Sequence, residues 1–363
     1  MNDVEELKRF AAIHARAQHL RDYPQVLARI HTDDQDTPGS WVREWRRSGE
    51  ALERDGRLLE ACRYYNMARF PFVDGPARQE AQELCVRTFE RWRERDEPGI
   101  QRLDVELPEG RIRCWADGLS AQHPRPLALI MGGIVSTKEH YGQVLVSLRK
   151  LGMASIATEM PGIGENTLNY TADRWTMFPA LLDAVGDRAR VAETYALTFS
   201  FSGHLALRWA GHDPRVRGIV AAGTPISEFF TDRDWQRRLP RITTDTLAHL
   251  TGMKFDDLRE CLPAWRLTAP ELAAVDVPVH YLASRRDEII PVGELDYLRR
   301  HVRRLRVAEN DDVHASPRHV AETRFWIALS VLQMRGGHAV QRAVLGTIWG
   351  ALRARGRLSR RAP

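Results

Sequence analysis

The sequence predicts an α/β protein: a mostly parallel sheet with helices on both faces, preceded by a helical domain and interrupted by a helical cap. Three observations predict it. Short, continuously apolar runs alternate with amphipathic segments from residue 126 onward, as in a parallel sheet covered on both sides. The chain before residue 98 carries helical periodicity instead. Between the apolar runs at 216–222 and 277–283 lies far more chain than one crossover helix needs.

The first section, residues 1–97, reads as helical. Trp41-Val42-Arg43-Glu44-Trp45 begins an amphipathic stretch, and Leu52, Leu58, Leu59, Cys62, Tyr65 and Met67 follow at mixed three- and four-residue spacings. Gly56 after Asp55 marks a helix–helix turn, Pro71 and Asp74-Gly75-Pro76 stop the next helix, and residues 77–95 begin another. Near Pro98-Gly99 the period changes. Arg102-Leu103-Asp104-Val105-Glu106-Leu107 alternates as a half-buried strand, and Pro108-Glu109-Gly110 turns it into a second strand at 111–115. Strand-like runs follow at 127–131, 154–158, 195–199, 216–222 and 277–283, with a weaker one at 304–308. Helical patterns at 138–151, 173–186, 201–211 and 292–302 separate them. These elements make a core at 98–335, with the cap insertion at about 225–272. The section 336–363 reads as an apolar helix and a basic tail with Arg353, Arg355, Arg357, Arg360 and Arg361, expected to be solvated and frayed.

Composition narrows the function. Apolar residues make up 43%, enough for a substantial core, and the net charge of +5 is too modest and too dispersed to indicate nucleic acid. Cys62, Cys85, Cys114 and Cys261 form no CxxC pair, so neither a zinc site nor a disulfide framework is expected. No apolar run reaches the ~18 residues of a membrane span. The start Met-Asn-Asp-Val-Glu-Glu has no signal-peptide character. The expectation is a cytoplasmic protein without a cofactor, acting on a small organic molecule.

Four segments at predicted strand ends carry the chemistry, where open parallel sheets place their sites. Thr198-Phe199-Ser200-Phe201-Ser202-Gly203 joins a strand to a helix, the context of a nucleophile elbow, with Ser200 at its apex. Thr198 and Ser202 stand where the G-x-S-x-G signature has glycines, and a bulky, β-branched Thr198 is expected to crowd the turn. Ser202 replaces Ser200 only if the turn shifts by two residues, and a serine-rich turn is the bland alternative. Asp287, in Arg286-Asp287-Glu288-Ile289-Ile290-Pro291, follows a late strand where a triad acid sits; Glu288 is its neighbour, and an Asp-containing turn the alternative. His314 lies in an acidic loop after the last strand, with His319 as the nearest rival base. In Met131-Gly132-Gly133-Ile134-Val135-Ser136-Thr137, the backbone N–H of Ile134, with that of Phe201, suits an oxyanion hole; a helix start capped by Ser136 or Thr137 is compatible with this. Gly133, Tyr141, His204 and Trp175 are the candidate pocket residues. The chain order Ser200, Asp287, His314 is that of α/β-hydrolases.

Gly132-Gly133-Ile134-Val135-Ser136-Thr137-Lys138-Glu139 resembles the GG-x-x-STKE loop of α/β-hydrolases related to the bacterial fermentation–respiration switch protein and dihydropseudooxynicotine hydrolase. Tyr64-Tyr65 with Phe70-Pro71-Phe72 is similar to a segment of their helical domain, and Glu159-Met160-Pro161-Gly162-Ile163-Gly164-Glu165 to their D-x-PG-x-G-E/S loop, with Glu159 in place of Asp. The resemblance spans roughly residues 40–335. It implies an N-terminal domain that helps cover the active site, often a homodimer, and hydrolysis of an ester or of a carbon–carbon bond beside a ketone. The leading reading is a serine hydrolase acting on an ester, thioester or activated C–C bond of a bulky apolar substrate. Two others stay open: a cyclase or lyase of natural-product tailoring that uses His314 as base, and a non-catalytic binding protein on the same scaffold.

Overall fold

The computed structural model describes residues 2–359, with side chains as far as Arg355. Five helices come first: α1 (Val4–Ala17), α2 (Tyr23–Arg29), α3 (Trp41–Arg54), α4 (Leu58–Arg69) and α5 (Pro76–Asp96). Local chemistry starts them. Asp3 accepts hydrogen bonds from the Glu5 and Glu6 backbone N–H groups, and Ser40 caps α3 at Arg43 N. Gly56, at φ +73°, makes the turn from α3 to α4. Leu7, Ala11 and Ala15 of α1 form a stripe at four-residue spacing, buried in one cluster with Val26, Trp41, Trp45, Tyr64 and Phe70. Cys62 and Cys85, distant in sequence, bring their Sγ atoms to 3.6 Å between α4 and α5.

The rest alternates strand and helix. In chain order come β1 (Gln101–Leu107), β2 (Gly110–Asp117), β3 (Pro126–Met131), α6 (Gly142–Lys150), β4 (Ala154–Thr158), α7 (Met177–Asp183), β5 (Arg190–Phe199), α8 (Phe201–Ala210) and β6 (Val216–Ala222). The cap follows as α9 (Glu228–Thr231), α10 (Arg233–Arg238), α11 (Arg241–Thr251), α12 (Phe255–Cys261) and α13 (Ala269–Ala273). Then come β7 (Val279–Ser284), α14 (Gly293–His301), β8 (Leu305–Asn310), α15 (Val320–Arg335) and α16 (Ala339–Ser359). The strands form one sheet in the order β1-β2-β4-β3-β5-β6-β7-β8. β1 pairs antiparallel with β2, and β2 with β4; the remaining pairs are parallel. Every residue of β3 and β4 is buried, as both-face coverage requires. This is the α/β-hydrolase fold.

Topology fixes the site's place. From β3 the chain passes to β4 on one side and then to β5 on the other. The crevice at such a switch lies beyond the carboxyl ends of β3 and β5. Gly132-Gly133 follows β3 and Ser200 follows β5. The base of the cap is pinned by the buried Glu294 of α14, whose carboxylate accepts from the N–H groups of Ile226 (2.8 Å), Ser227 (2.8 Å) and Phe229 (2.9 Å).

Two expectations need correction. β5 begins at Arg190, five residues before its apolar run, because Arg190 to Glu193 leave the covered part of the sheet and alternate in exposure. The tail expected to fray is helical through Ser359: Arg353 donates to the Glu309 carbonyl (2.9 Å) and covers the Trp349 ring. Arg360 and Arg361, and the Arg357 side chain, lie outside the described residues. Among those residues no helix is long and apolar enough to cross a membrane.

Candidate active site

Ser200 occupies the turn between β5 and α8 with φ 58° and ψ −129°, a conformation costly for a residue with a Cβ. Hydrogen bonds hold it there: Ser200 N–H donates to Ala222 O (2.7 Å), and Gly203 N–H donates to Ser200 O (3.0 Å). Ser202 does more than fit where a glycine was expected. Its Oγ accepts from Phe199 N–H (2.8 Å) and lies 2.8 Å from Met131 O, tying the end of β5 to the end of β3. The crowding expected from Thr198 does not arise. Thr198 keeps its place between Met131 and Ala221 in the ladder, fully buried, with its hydroxyl toward Val220 O.

His314 Nε2 lies 3.1 Å from Ser200 Oγ, and its Nδ1 lies 2.8 Å from Asp287 Oδ2. An ionised carboxylate only accepts, so Nδ1 carries the proton and Nε2 is free to accept from the serine hydroxyl. Asp287 is held in turn by the N–H groups of Ile289 (3.0 Å) and Ile290 (2.8 Å). Glu288, the neighbour of Asp287, accepts from the His314 backbone N–H (2.9 Å) instead of reaching the ring. Burial pulls the His314 pKa down, but the Asp287 charge and hydrogen bond, with Glu288, outweigh it and leave it above 6.5. His319 is elsewhere, with Nδ1 3.2 Å from Asp312 Oδ2.

The Gly132-Gly133 loop faces this group. A Cβ on Gly133 would lie 2.9 Å from Ser200 Cβ, so only glycine allows the approach. The backbone N–H groups of Ile134 and Phe201 have no hydrogen-bond partner among the described residues. Both residues line the cavity that holds Ser200 and His314. Two donors left open beside Ser200 can receive a negatively charged oxygen.

Buried charge holds the loop. Lys138 lies 2.9 Å from Glu139, 2.9 Å from Glu165 and 3.4 Å from Glu159. Burial disfavours its charge, yet the three acids raise its pKa well above the ordinary value. Trp115 Nε1–H donates to Glu139 (2.9 Å). Glu159 also accepts from Lys138 N and Glu165 N, and its carboxylate fills the space a Cβ on Gly164 would take. That glycine makes room for the Glu159 carboxylate. From the helical domain, the buried Arg69 donates to Asn66 Oδ1 (2.9 Å), Pro71 O (3.0 Å) and Val135 O, one residue past Ile134.

A cavity of about 1130 Å³ opens over Ser200. Phe10, Ile13 and His14 of α1, Phe70, Ile242 of α11 and Ile289 line it beside the groups already named. Glu6 of α1 joins its two covering helices by accepting from Arg241 N (2.9 Å) and Ile242 N (3.1 Å) at the start of α11. Gly133 and Tyr141 line the cavity, and Tyr141 stacks on Phe199 at 6.2 Å. His204 and Trp175 do not. His204 is fully buried on the face of α8 turned to the cap, donating to Trp265 O (2.7 Å). Trp175 precedes α7 and stacks on His212 beside a separate surface depression. Gly223 was missed. It follows β6 at φ +54°, and a Cβ there would lie 2.9 Å from the His314 ring; a glycine closing an apolar strand was the available signal. His14 was missed because nothing local marks a helical histidine as facing a cavity.

Comparison with known proteins agrees with this fold. The FrsA-like family, described as Esterase FrsA-like, matches residues 32–284, more than half of the chain. The chain belongs to the FrsA-like esterase family. This FrsA-like chain is therefore an α/β-hydrolase-fold enzyme of the hydrolase class. It is 26% identical to Esterase FrsA of Vibrio cholerae over 287 residues, covering 74% of this chain and 68% of that protein. It is 24% identical to the 2,6-dihydropseudooxynicotine hydrolase of Paenarthrobacter nicotinovorans over 265 residues, covering 68% and 67% of the two. The solved structure of wild-type AbyA5 superimposes with a TM-score of 0.93 at 48% identity, over 97% of this chain and 100% of that one.

Proposed function

We propose that this enzyme is a serine hydrolase that cleaves an ester, a thioester or a ketone-adjacent C–C bond of a bulky apolar substrate. The single observation that carries the reading is the continuous relay from Ser200 Oγ to His314 Nε2 (3.1 Å) and from His314 Nδ1 to Asp287 Oδ2 (2.8 Å). His314 takes the Ser200 proton as Oγ bonds to the substrate carbonyl. The N–H groups of Ile134 and Phe201 receive the oxyanion. His314 returns its proton to the departing group, leaving acyl-Ser200, and a water activated by the same imidazole resolves it. Asp287 holds the tautomer and stabilises the imidazolium. Residues 1–97 act as a domain covering this site, a role supported by the α1 residues on the cavity wall.

Fluorophosphonate labelling with peptide mapping tests the reading. Modification at Ser200, lost in Ser200→Ala together with turnover, is the expected result. Labelling at another serine, or full turnover by Ser200→Ala, overturns it.

A second reading keeps His314 as base in an eliminating or cyclising enzyme of natural-product tailoring. The apolar wall formed by Phe10, Ile13, Phe70 and Ile242 favours it, because it limits the water that would resolve an acyl-serine. Turnover in ¹⁸O-water separates the two. Hydrolysis places one solvent oxygen in the acid product, and elimination places none.

A further inference from the structure

Of the histidines that line the cavity, the proposed reaction uses His314 and leaves His14, His19 and His140. His14 comes from α1, on the far side of the chain from the triad in sequence, and shares the cavity with Ser200 and His314. Leu7 and Ala11 precede His14 by seven and three residues, so His14 stands at the edge of the face that α1 buries in the helical domain. The His14 ring packs against Phe70, with centroids 5.1 Å apart, which fixes its direction. Neither ring nitrogen has a hydrogen-bond partner among the described residues, and neither is sealed from open space. The other two differ: His140 bonds to Asn66 and to the Thr137 backbone, and His19 is exposed. A polar group left open in an apolar wall takes its partner from water or from a ligand that displaces that water.

Electrostatics select the kind of partner. Burial first, then the Arg69 guanidinium, then His314 pull the His14 pKa down to about 4, so the ring is neutral near pH 7 and one nitrogen carries a hydrogen. Arg69 donates only to neutral oxygens, and no carboxylate lies within ion-pair distance of it among the described residues. The field at His14 is therefore positive and favours a ligand that turns a negative end toward it. A carbonyl oxygen that accepts from the imidazole N–H meets that condition.

We propose that His14 is a substrate-binding residue that donates a hydrogen bond to a second carbonyl oxygen of the substrate, separate from the one Ser200 attacks. The substrate class is then an oxo-acyl compound on an apolar skeleton. Phe10, Ile13 and Phe70 pack against the skeleton, and His14 sets where along it the second carbonyl falls.

The inference rests on the serine-hydrolase reading, and the experiment keeps the two apart. A panel of p-nitrophenyl esters of unbranched oxo-acids, with the ketone moved along the chain, is compared with unsubstituted esters of equal length. Wild-type enzyme is expected to favour at least one oxo-ester by about tenfold in kcat/KM, the effect of about 1.4 kcal/mol from one hydrogen bond. His14→Phe, which keeps a ring against Phe70, is expected to erase that ratio, and His14→Gln, which keeps a donor, to restore part of it. The proposal is overturned if wild type prefers no oxo-ester, or if His14→Phe keeps the wild-type ratio. Fluorophosphonate labelling of Ser200 in each variant reports whether the nucleophile is assembled. Failure of wild type to label at Ser200 defeats the hydrolase reading itself, whatever the ratio.

Discussion

Replacing Ser202 by glycine restores the second glycine of the elbow signature, yet we expect it to weaken the protein. Ser202 Oγ accepts from Phe199 N–H at 2.8 Å and reaches Met131 O at 2.8 Å, in a place with no solvent access. Without the hydroxyl, Phe199 N–H is left buried and unpaired, at a cost of about 1–3 kcal/mol. Ser202→Ala isolates this loss, because the volume change is small. Ser202→Gly adds up to about 1 kcal/mol for glycine in a helix. A loss near 2 kcal/mol lowers the melting midpoint by about 4–8 °C in a chain of 150–250 residues, and by somewhat less in a longer one. The same bonds tie the strand ends that carry Ser200 and the Gly132-Gly133 loop. A displacement of the nucleophile there lowers kcat by about ten- to a hundredfold. Thermal melts and steady-state turnover of the three proteins measure both effects. Variants that melt within about 1 °C of wild type and turn over equally well would show that the hydroxyl only fills space.

Three more outcomes are expected. Asp287→Asn should lower kcat by about 10⁴-fold by releasing the His314 tautomer, as steady-state kinetics would show; a loss under about tenfold contradicts its role. Because the proposed mechanism needs the neutral imidazole and the His314 pKa is raised, kcat/KM should fall as pH drops through a value above 6.5. Glu288→Gln removes one of the charges that raise it, so the inflection should move to lower pH; an unmoved profile contradicts this. Lys138→Met should cost about 3–5 kcal/mol by leaving buried carboxylates without their cation. In that variant the Glu159 carboxyl, already raised by burial, binds its proton more readily folded than unfolded, so stability relative to wild type should recover as pH falls. Denaturant melts at two pH values check the sign.

Periodicity alone determined which segments become strands and helices. A strand covered on both faces must be apolar throughout, so 127–131 and 154–158 were legible without any partner in view. The polar start of β5 was not, because its exposure depends on where the covering helices end. The order Ser200, Asp287, His314 and the Gly132-Gly133 loop were readable because each lies just after a strand, where the parallel topology fixes direction. Distances between loops were decided by tertiary packing, and so were the outcomes that local chemistry misjudged. Thr198 is harmless because its side chain stays in the ladder. Ser202 became a tie because Met131, far away in sequence, ends beside it. His204 and Trp175 lost their places in the pocket to the cap and to the outer face, and His14 gained one because α1 folds back over the sheet edge and Glu6 ties it to α11. The sequence by itself determined which side chains stand at the strand ends, since strand direction is a local consequence of pattern. Only the tertiary structure decided what faces that chemistry, since a cavity wall is assembled from segments whose own sequences carry no sign of one another.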